Sequence, residues 1–385
     1  MRLKNLLILL LVTASFLSLG ITITQKVIDK ESIQESSKDT PESSIKESYC
    51  LGEVIKIISD IEEELPGGNK QRTQQLLVNI FSKHGKGKKR ATTNIIPDNP
   101  SFAIIGELGK KYLISKTENL NTGDEDYFIV DYYREPFIWV LFGSFLVLLI
   151  LIGGTKGIRT IVSLFCTIGF IAFLLIPSIE KEINPLLSAV IVSILATAVT
   201  MLLVAGINLK SLASTLGTGI GVSISGIIAT LIIKMAPLSG LASTEAMILW
   251  GNQFYQINFK GLLAAGMIVS SLGAIMDVAI SIASSIQEIK LANPNYSFDE
   301  LYKSGMNIGK DIMGTMTSTL VLAYTGMALP LLLLISHEKN PSKYLNLELV
   351  MSEITAAIAG SIGLIVTIPM TALIMAYLVN KEKTK

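Results

Sequence analysis

The chain has 385 residues, half of them apolar and only 16% charged, and its mean hydropathy is +0.54. The apolar excess lies in blocks near the ~20 residues that a helix needs to cross a hydrocarbon core about 30 Å thick, which excludes a soluble enzyme. With 32 basic and 31 acidic residues and a net charge of +1, the overall charge draws the chain neither to nucleic acid nor to an acidic substrate.

Residues 1–24, MRLKNLLILLLVTASFLSLGITIT, place Arg2 and Lys4 ahead of a long apolar run. Such a segment is a signal anchor or a cleavable signal peptide. The run continues past Ser18 and Gly20 to Ile23, which favours the anchor, a first transmembrane segment that puts residue 25 outside. Residues 25–48 carry no aromatic side chain, are rich in Ser, Glu and Lys, and read as a flexible stalk.

From Tyr49 to Tyr133 the runs EVIKII, QLLVNIF, ATTNII, KYLIS and YFIVDYY follow one another, separated by turn-forming stretches such as PGGN at 66–69. Short runs of this kind predict a small extracytoplasmic β-barrel or sandwich over 49–136. The acidic run DIEEE at 60–64 and the basic run KGKKR at 86–90 are expected to be solvated faces or a local charge pair. Cys50 falls in this polar region and Cys166 in an apolar block, so no disulfide is expected. His84 and His337 stand far apart without metal-ligand spacing, and neither a metal site nor a cofactor is expected.

A seven-helix membrane domain is predicted over 137–380, with blocks at 137–154, 158–178, 185–207, 214–236, 261–287, 308–335 and 354–379 and a tail at 381–385. With the N-terminal segment this makes an α-helical polytopic protein of about eight transmembrane helices. Basic residues mark the cytoplasmic side of short loops. With the N-terminus inside, eleven basic residues fall on the cytoplasmic side and five opposite, the other sixteen lying in 25–136. Both termini are therefore expected inside.

Two blocks carry the candidate chemistry. Asp277 lies about ten residues from the end of its block, where an ionisable group costs about 2.5–3.5 kcal/mol and is expected to face a polar interior. Ser281 and Ser284 follow at i+4 and i+7, and Ser270 and Gly273 extend the same stripe. On the next block Asp311, Thr315, Ser318 and Thr319 form a second stripe. The two helices run antiparallel, which brings Asp277 level with residues near Ser318, so that hydroxyls and a carboxylate could bind a sodium ion or a proton. Two plainer readings stand beside this one: small residues that only pack helices, and an interfacial ion pair of Asp311 with Lys310. Gly217, Gly221 and Ser225 at intervals of four predict close helix approach, and Pro330 and Pro369 mark kinks.

Gly305–Asp311, GMNIGKD, lacks one residue of the phosphate-loop spacing and has Asp where a magnesium-binding hydroxyl belongs. Neither Asp277 nor Asp311 follows a Gly-x-Gly, as an intramembrane aspartyl protease dyad would require. No enzymatic activity is expected.

The stretch LGAIMDVAISIASSIQEIK at 272–290, together with YFIVDYYREP ahead of the second membrane segment, resembles the YibE/F family of bacterial multi-pass membrane proteins. The resemblance extends from about Tyr49 to the end. It implies this architecture and a bacterial cytoplasmic membrane, and no substrate. Two functions compete. One is a secondary transporter or permease of an ion or small polar solute, lined by the helices at 261–287 and 308–335. The other is a membrane scaffold or sensor whose outer domain binds an envelope protein. The partners expected are the lipid bilayer, the transported ion or solute, and a homo-oligomer or envelope protein.

Overall fold

A computed structural model describes residues 45–64, 70–81, 87–98, 103–119, 124–251, 257–337 and 341–382. The expected anchor at 1–24 and the PGGN turn lie outside the described residues. The chain divides into two units between Ile152 and Gly153.

Among the described residues the first unit holds five strands: β1 Ile45–Glu64, β2 Lys70–Ile80, β3 Lys88–Ile96, β4 Lys111–Asn119 and β5 Glu125–Tyr132. They form one antiparallel sheet in the order β3-β2-β1-β4-β5. β1 serves two partners: Ile45 to Glu53 pair with β4, and Gly52 to Glu64 pair with β2. The hand-over falls at Gly52, where a Cβ would collide with the Ile114 side chain. Register shifts just beyond it, at Val54/Lys56 and Ile57/Ser59, add the twist that curls the sheet.

The curl brings the two edge strands together. Thr92 of β3 donates its hydroxyl to the Tyr127 carbonyl of β5, and Arg90 pairs with Glu125 at 3.1 Å. A barrel-like sheet results, closed by side chains rather than by a ladder between β3 and β5. Val54, Leu76, Val78, Tyr112 and Ile114 fill it, each with no exposed surface. The alternation along β2, where residues 74, 76, 78 and 80 are buried, is the period that a strand with one face inward requires. The segment 103–110 closes one end: Gln74 accepts the Gly106 N–H at 2.8 Å, and the Tyr112 hydroxyl donates to the Ile105 carbonyl at 2.8 Å.

The start of the sheet differs from expectation, and the acidic run, exposed as expected, pairs locally. β1 begins at Ile45, inside the stretch read as stalk, because the first residues of β1 find a ready ladder on β4. The acidic run binds its own hairpin rather than the basic run. Asp60 receives both Arg72 and Gln74, and Glu62 pairs with Lys70, since antiparallel register sets these residues on neighbouring strands.

The helices are α1 Glu135–Phe170, continued through a π-helical turn Ile171–Leu175 into α2 Ile176–Glu180, then α3 Pro185–Val204, α4 Leu209–Met235, α5 Thr244–Gly251, α6 Phe259–Ala292, α7 Phe298–Met327, α8 Leu329–Ser336, α9 Pro341–Leu345 and α10 Glu348–Glu382. Asn184, Asn208, Asn258 and Ser297 cap α3, α4, α6 and α7 by accepting backbone N–H groups that the first turn leaves unpaired.

Among the described residues five helical runs are long and apolar enough to cross a membrane, or six if α7 and α8, bent by 68°, form one broken span. The difference from the expected total has two sources. The N-terminal segment is outside the described residues, and the blocks 137–154 and 158–178 fall in one run, Glu135–Glu180, of 46 residues. Gly154 interrupts this run with a φ of 55° and a ψ of −128°, a backbone that residues with a side chain rarely adopt. Pro330, in the first turn of α8, marks the other break, whereas Pro369 sits inside α10.

In the second unit α4, α6 and α10 pack against one another, α3 flanks α4 and α6, and α7 lies against α6 and α10. Small residues let the helices approach. A Cβ on Gly221 would stand 2.8 Å from the Gly363 carbonyl and would overlap the Thr367 side chain, so the spacing of small residues on α4 serves packing against α10. On α7, Gly305 and Gly309 admit Ile286 and Ile282 of α6 from one side and Ala372 and Ile368 of α10 from the other.

Candidate functional site

α6 has one face in the bundle and one outside it. Ile268, Ile275, Val278, Ala279, Ile282 and Ile286 have no exposed surface. The opposite face carries Gly266, Ser270, Gly273, Asp277 and Ser281, all exposed. Asp277 stands near the middle of the helix. No atom of another element lies within 4 Å of where a Cβ on Gly273 would be, so the turn below the carboxylate is open. Among the described residues no hydrogen bond or ion pair reaches Asp277.

Asp277 therefore does not face the interior of the bundle, where Ser214 of α4 donates to the Ala279 carbonyl and Ser271 is buried. Asp277 and Ser281 point away from the α4–α6–α10 core because those contact positions are taken by Ile, Val and Ala, and Ser284 is half-buried at the margin. The face is nevertheless one that lipid cannot cover cheaply. An ionised carboxylate among acyl chains must become neutral, find a partner or meet water.

α7 presents the second stripe in the same manner. Asp311, Thr315, Ser318 and Thr319 are all exposed. Thr315 and Thr319 donate their hydroxyls to the carbonyls of Ile312 and Thr315, both at 2.9 Å, the usual way a helix satisfies such groups within itself. Lys310 and Asp311 are both exposed and form no ion pair among the described residues. The antiparallel register matches expectation. Ser270 and Tyr324 join hydroxyl to hydroxyl, and Ile282 packs on Gly309, which sets Asp277 level with the turn from Thr315 to Ser318. No hydrogen bond among the described residues joins the one stripe to the other.

Residues 141–381 match the YibE/F-like protein family. The chain belongs to the YibE/F-like family. The matched stretch covers more than half of the chain, including α6 and its LGAIMDVAISIASSIQEIK segment, and begins after YFIVDYYREP, so the resemblance covers the membrane helices and not the barrel. No curated protein and no solved structure matches the chain. As a YibE/F-like protein with several apolar helices of spanning length, it is a membrane protein.

Three features of this YibE/F-like chain escape a reading of the sequence alone. Tyr324, on the polar edge of α7, bonds Ser270; nothing in its spacing sets it apart from an interfacial tyrosine. Glu348, at the start of α10, accepts the N–H groups of Ser239 and Gly240, both at 2.7 Å, and so ties the turn after α4 to α10. Lys290 is 7% exposed although it looks like an ordinary loop-flanking lysine. The first two depend on a partner far away in the chain, and Lys290 donates to the Tyr296 carbonyl just beyond the end of its helix. Both cysteines are free, and burial in the barrel raises the Cys50 thiol to a pKa of about 11.

Proposed function

We propose that this YibE/F-like protein is a secondary transporter or permease of the bacterial cytoplasmic membrane, without enzymatic activity, in which Asp277 binds and releases a cation or proton during movement of an ion or small polar solute. The observation that carries this reading is the Asp277 carboxylate: mid-helix, exposed, beside the open turn at Gly273 and without a protein partner among the described residues. A carboxylate so placed is stable next to lipid only when it is protonated or holds a cation, and stable ionised only when it meets water. Its occupancy is thereby coupled to which surroundings it faces. That coupling is the physical requirement of an ion-driven carrier.

Ser281, one turn further on α6, with Ser284, Thr315 and Ser318, supplies oxygen ligands of the kind a hard cation takes, and Asp311 lies towards the cytoplasmic mouth of the same path. The 68° bend between α7 and α8 supports this, since transporter paths run along interrupted helices. The membrane span count proposed for the whole chain remains eight, with both termini inside. In support, Lys210, Lys290 and Lys381 gather at one set of helix ends, and Lys234 and Lys260 stand at the other.

The test is flux through the full chain in proteoliposomes, driven by a pH or sodium gradient and read by a trapped pH dye and by radioactive sodium. Asp277→Asn should insert and fold yet abolish flux, Asp277→Glu should retain part of it, and Ser281→Ala should weaken it less. Undiminished flux in Asp277→Asn overturns the proposal.

One observation favours the alternative of a scaffold or sensor. On the barrel, Ile58 and Ile61 of β1 are each 52% exposed and Ile95 of β3 is 60% exposed; the register Ile61–Thr73–Ile95 places the latter two across three adjacent strands. An apolar row on an outward face suits an envelope protein partner. Loss of a co-purifying envelope protein on Ile61→Lys/Ile95→Lys, with flux absent in the wild type, would favour that reading.

A further inference from the structure

The outward faces of the membrane helices differ in kind. α3 exposes Leu187 and Ile191, α4 exposes Ile227 and Leu231, and α10 exposes Ile358 and Leu373, large apolar side chains suited to acyl chains. From Phe259 to Lys290, α6 exposes no apolar residue larger than glycine, and from Phe298 to Leu320 neither does α7. Just beyond, Val321 and Leu322 are 41% and 68% exposed, and the lipid-like surface resumes. Two neighbouring helices thus share an outward face that lipid does not suit.

The register of the two helices sorts the polar groups of that face by depth. Gly305 admits Ile286, and Gly309, one turn on, admits Ile282, which sets Glu288 level with Lys303 and Asp277 level with Gly314 and Thr315. Glu288 and Lys303 are exposed, and no ion pair joins them within the chain among the described residues; Lys303 interacts by charge with Glu300 of its own helix. At each depth one helix offers what the other lacks. Near the turn that joins them, an acid on α6 stands level with a base on α7. Further along, the Asp277 carboxylate of α6 stands level with hydroxyls of α7.

From this face and its charges we infer that a second copy of the chain covers it: two copies pack about a two-fold axis, α7 of each against α6 of the other, from Glu288 to Asp277. Insertion gives both copies one orientation, so the axis runs along the membrane normal, and rotation about it changes no residue's depth. Glu288 of one copy then meets Lys303 of the other, and the reverse pair forms as well. The pattern is its own complement under this rotation, which selects a second copy over an unrelated protein. Small side chains on α6 let the helices close up. Asp277 receives the hydroxyl oxygens of Thr315 and Ser318 from the other copy, and Thr315 keeps lone pairs for a cation while it donates to the Ile312 carbonyl. The second copy so completes an oxygen site that a single chain leaves open. Gly273 lies at the margin of the contact, where the lipid-like surface of α7 begins. The contact stands on these surfaces alone, and only its part in cation binding rests on the transport reading.

The test uses the full chain. Native mass spectrometry in a mild detergent should show a dimer. Glu288→Lys and Lys303→Glu should each weaken it by about tenfold or more, because each sets like charges face to face at two symmetric places, and the double variant Glu288→Lys/Lys303→Glu should restore it. In membranes, two differently tagged copies, both with Cys50→Ser and Cys166→Ser, one carrying Ser281→Cys and the other Lys310→Cys, should join in a disulfide on oxidation. This arm decides the matter if a charge variant fails to fold. A monomer, a ring of three or more, a complex with another protein in place of the second copy, a dimer insensitive to both charge reversals, or no disulfide between the two tags overturns the inference. Flux separates the contact from the transport reading. A dimer without flux in the wild type sinks the transport reading and leaves the contact standing, whereas monomeric Glu288→Lys with undiminished flux overturns the completion of the Asp277 site.

Discussion

Ser270 of α6 and Tyr324 of α7 share a hydroxyl–hydroxyl hydrogen bond that pins the register of the two helices bearing the polar stripes. Apolar contacts such as Ile282 on Gly309 also hold α7 against α6, but these tolerate sliding. A double-mutant cycle of Ser270→Ala and Tyr324→Phe should give a coupling energy of about 0.5–1.5 kcal/mol in thermal unfolding, the worth of one such bond. Strictly additive effects would show that the two hydroxyls do not act as a pair.

The contact of Gly221 with α10 predicts a contrast between two glycines. Gly221→Ala should destabilise the membrane unit by about 1–3 kcal/mol, because the added methyl meets the Gly363 carbonyl and the Thr367 side chain of a packed helix. Gly273→Ala, on the open face of α6, should leave the melting temperature unchanged or slightly raised. Unfolding of both variants in the same detergent checks this. Equal losses would place a packed partner over Gly273.

Acid should loosen the barrel through two carboxylates. Hydrogen bonds from Arg72, then Gln74, hold Asp60 below its ordinary value of 3.8, at about 2. Those from Lys116, then Tyr127, with the charge of Arg90, hold Glu125 at about 2. A folded-state pKa lowered in this way contributes stability that is complete above the unfolded value, near pH 4, and is lost as the pH falls towards 2. Both pairs are partly exposed, so each contributes no more than about 1 kcal/mol. The protection of β1 and β2 amides against hydrogen exchange in the full chain, corrected for the intrinsic rate at each pH, should fall from pH 5 to pH 2. Asp60→Asn should flatten that response, and an unaltered pH profile would contradict the assignment.

Topology is open to direct test. Green fluorescent protein fused after Lys385 should fluoresce, and alkaline phosphatase inserted at Asn99 should be active, since the basic residues at one set of helix ends mark the cytoplasmic side. Phosphatase activity after Lys385 would invert the proposed orientation.

Much of the architecture was written in local pattern. EVIKII, QLLVNIF, ATTNII, KYLIS and YFIVDYY each became part of a strand, because alternation with period two needs only neighbours along the chain to be recognised. The apolar blocks from 185 onward became helices for a similar reason: backbone groups in lipid have no other partner. The helical spacing of Asp277, Ser281 and Ser284, and of Asp311, Thr315 and Ser318, was likewise readable from intervals of three and four. So was the turn of α7 that stands level with Asp277.

Tertiary structure alone decided which way those stripes point. Asp277 looks inward on a helical wheel if the remaining face is taken as lipid-facing, but α6 buries Ile275, Ile282 and Ile286 against α4, α7 and α10 and turns the aspartate outward. The same holds for Lys290, whose burial follows from four helix ends closing around it, and for β1, which passes from one partner strand to the other at Gly52. A sequence records the period of a pattern, whereas the direction a face takes depends on which distant segments supply the better-packed surface.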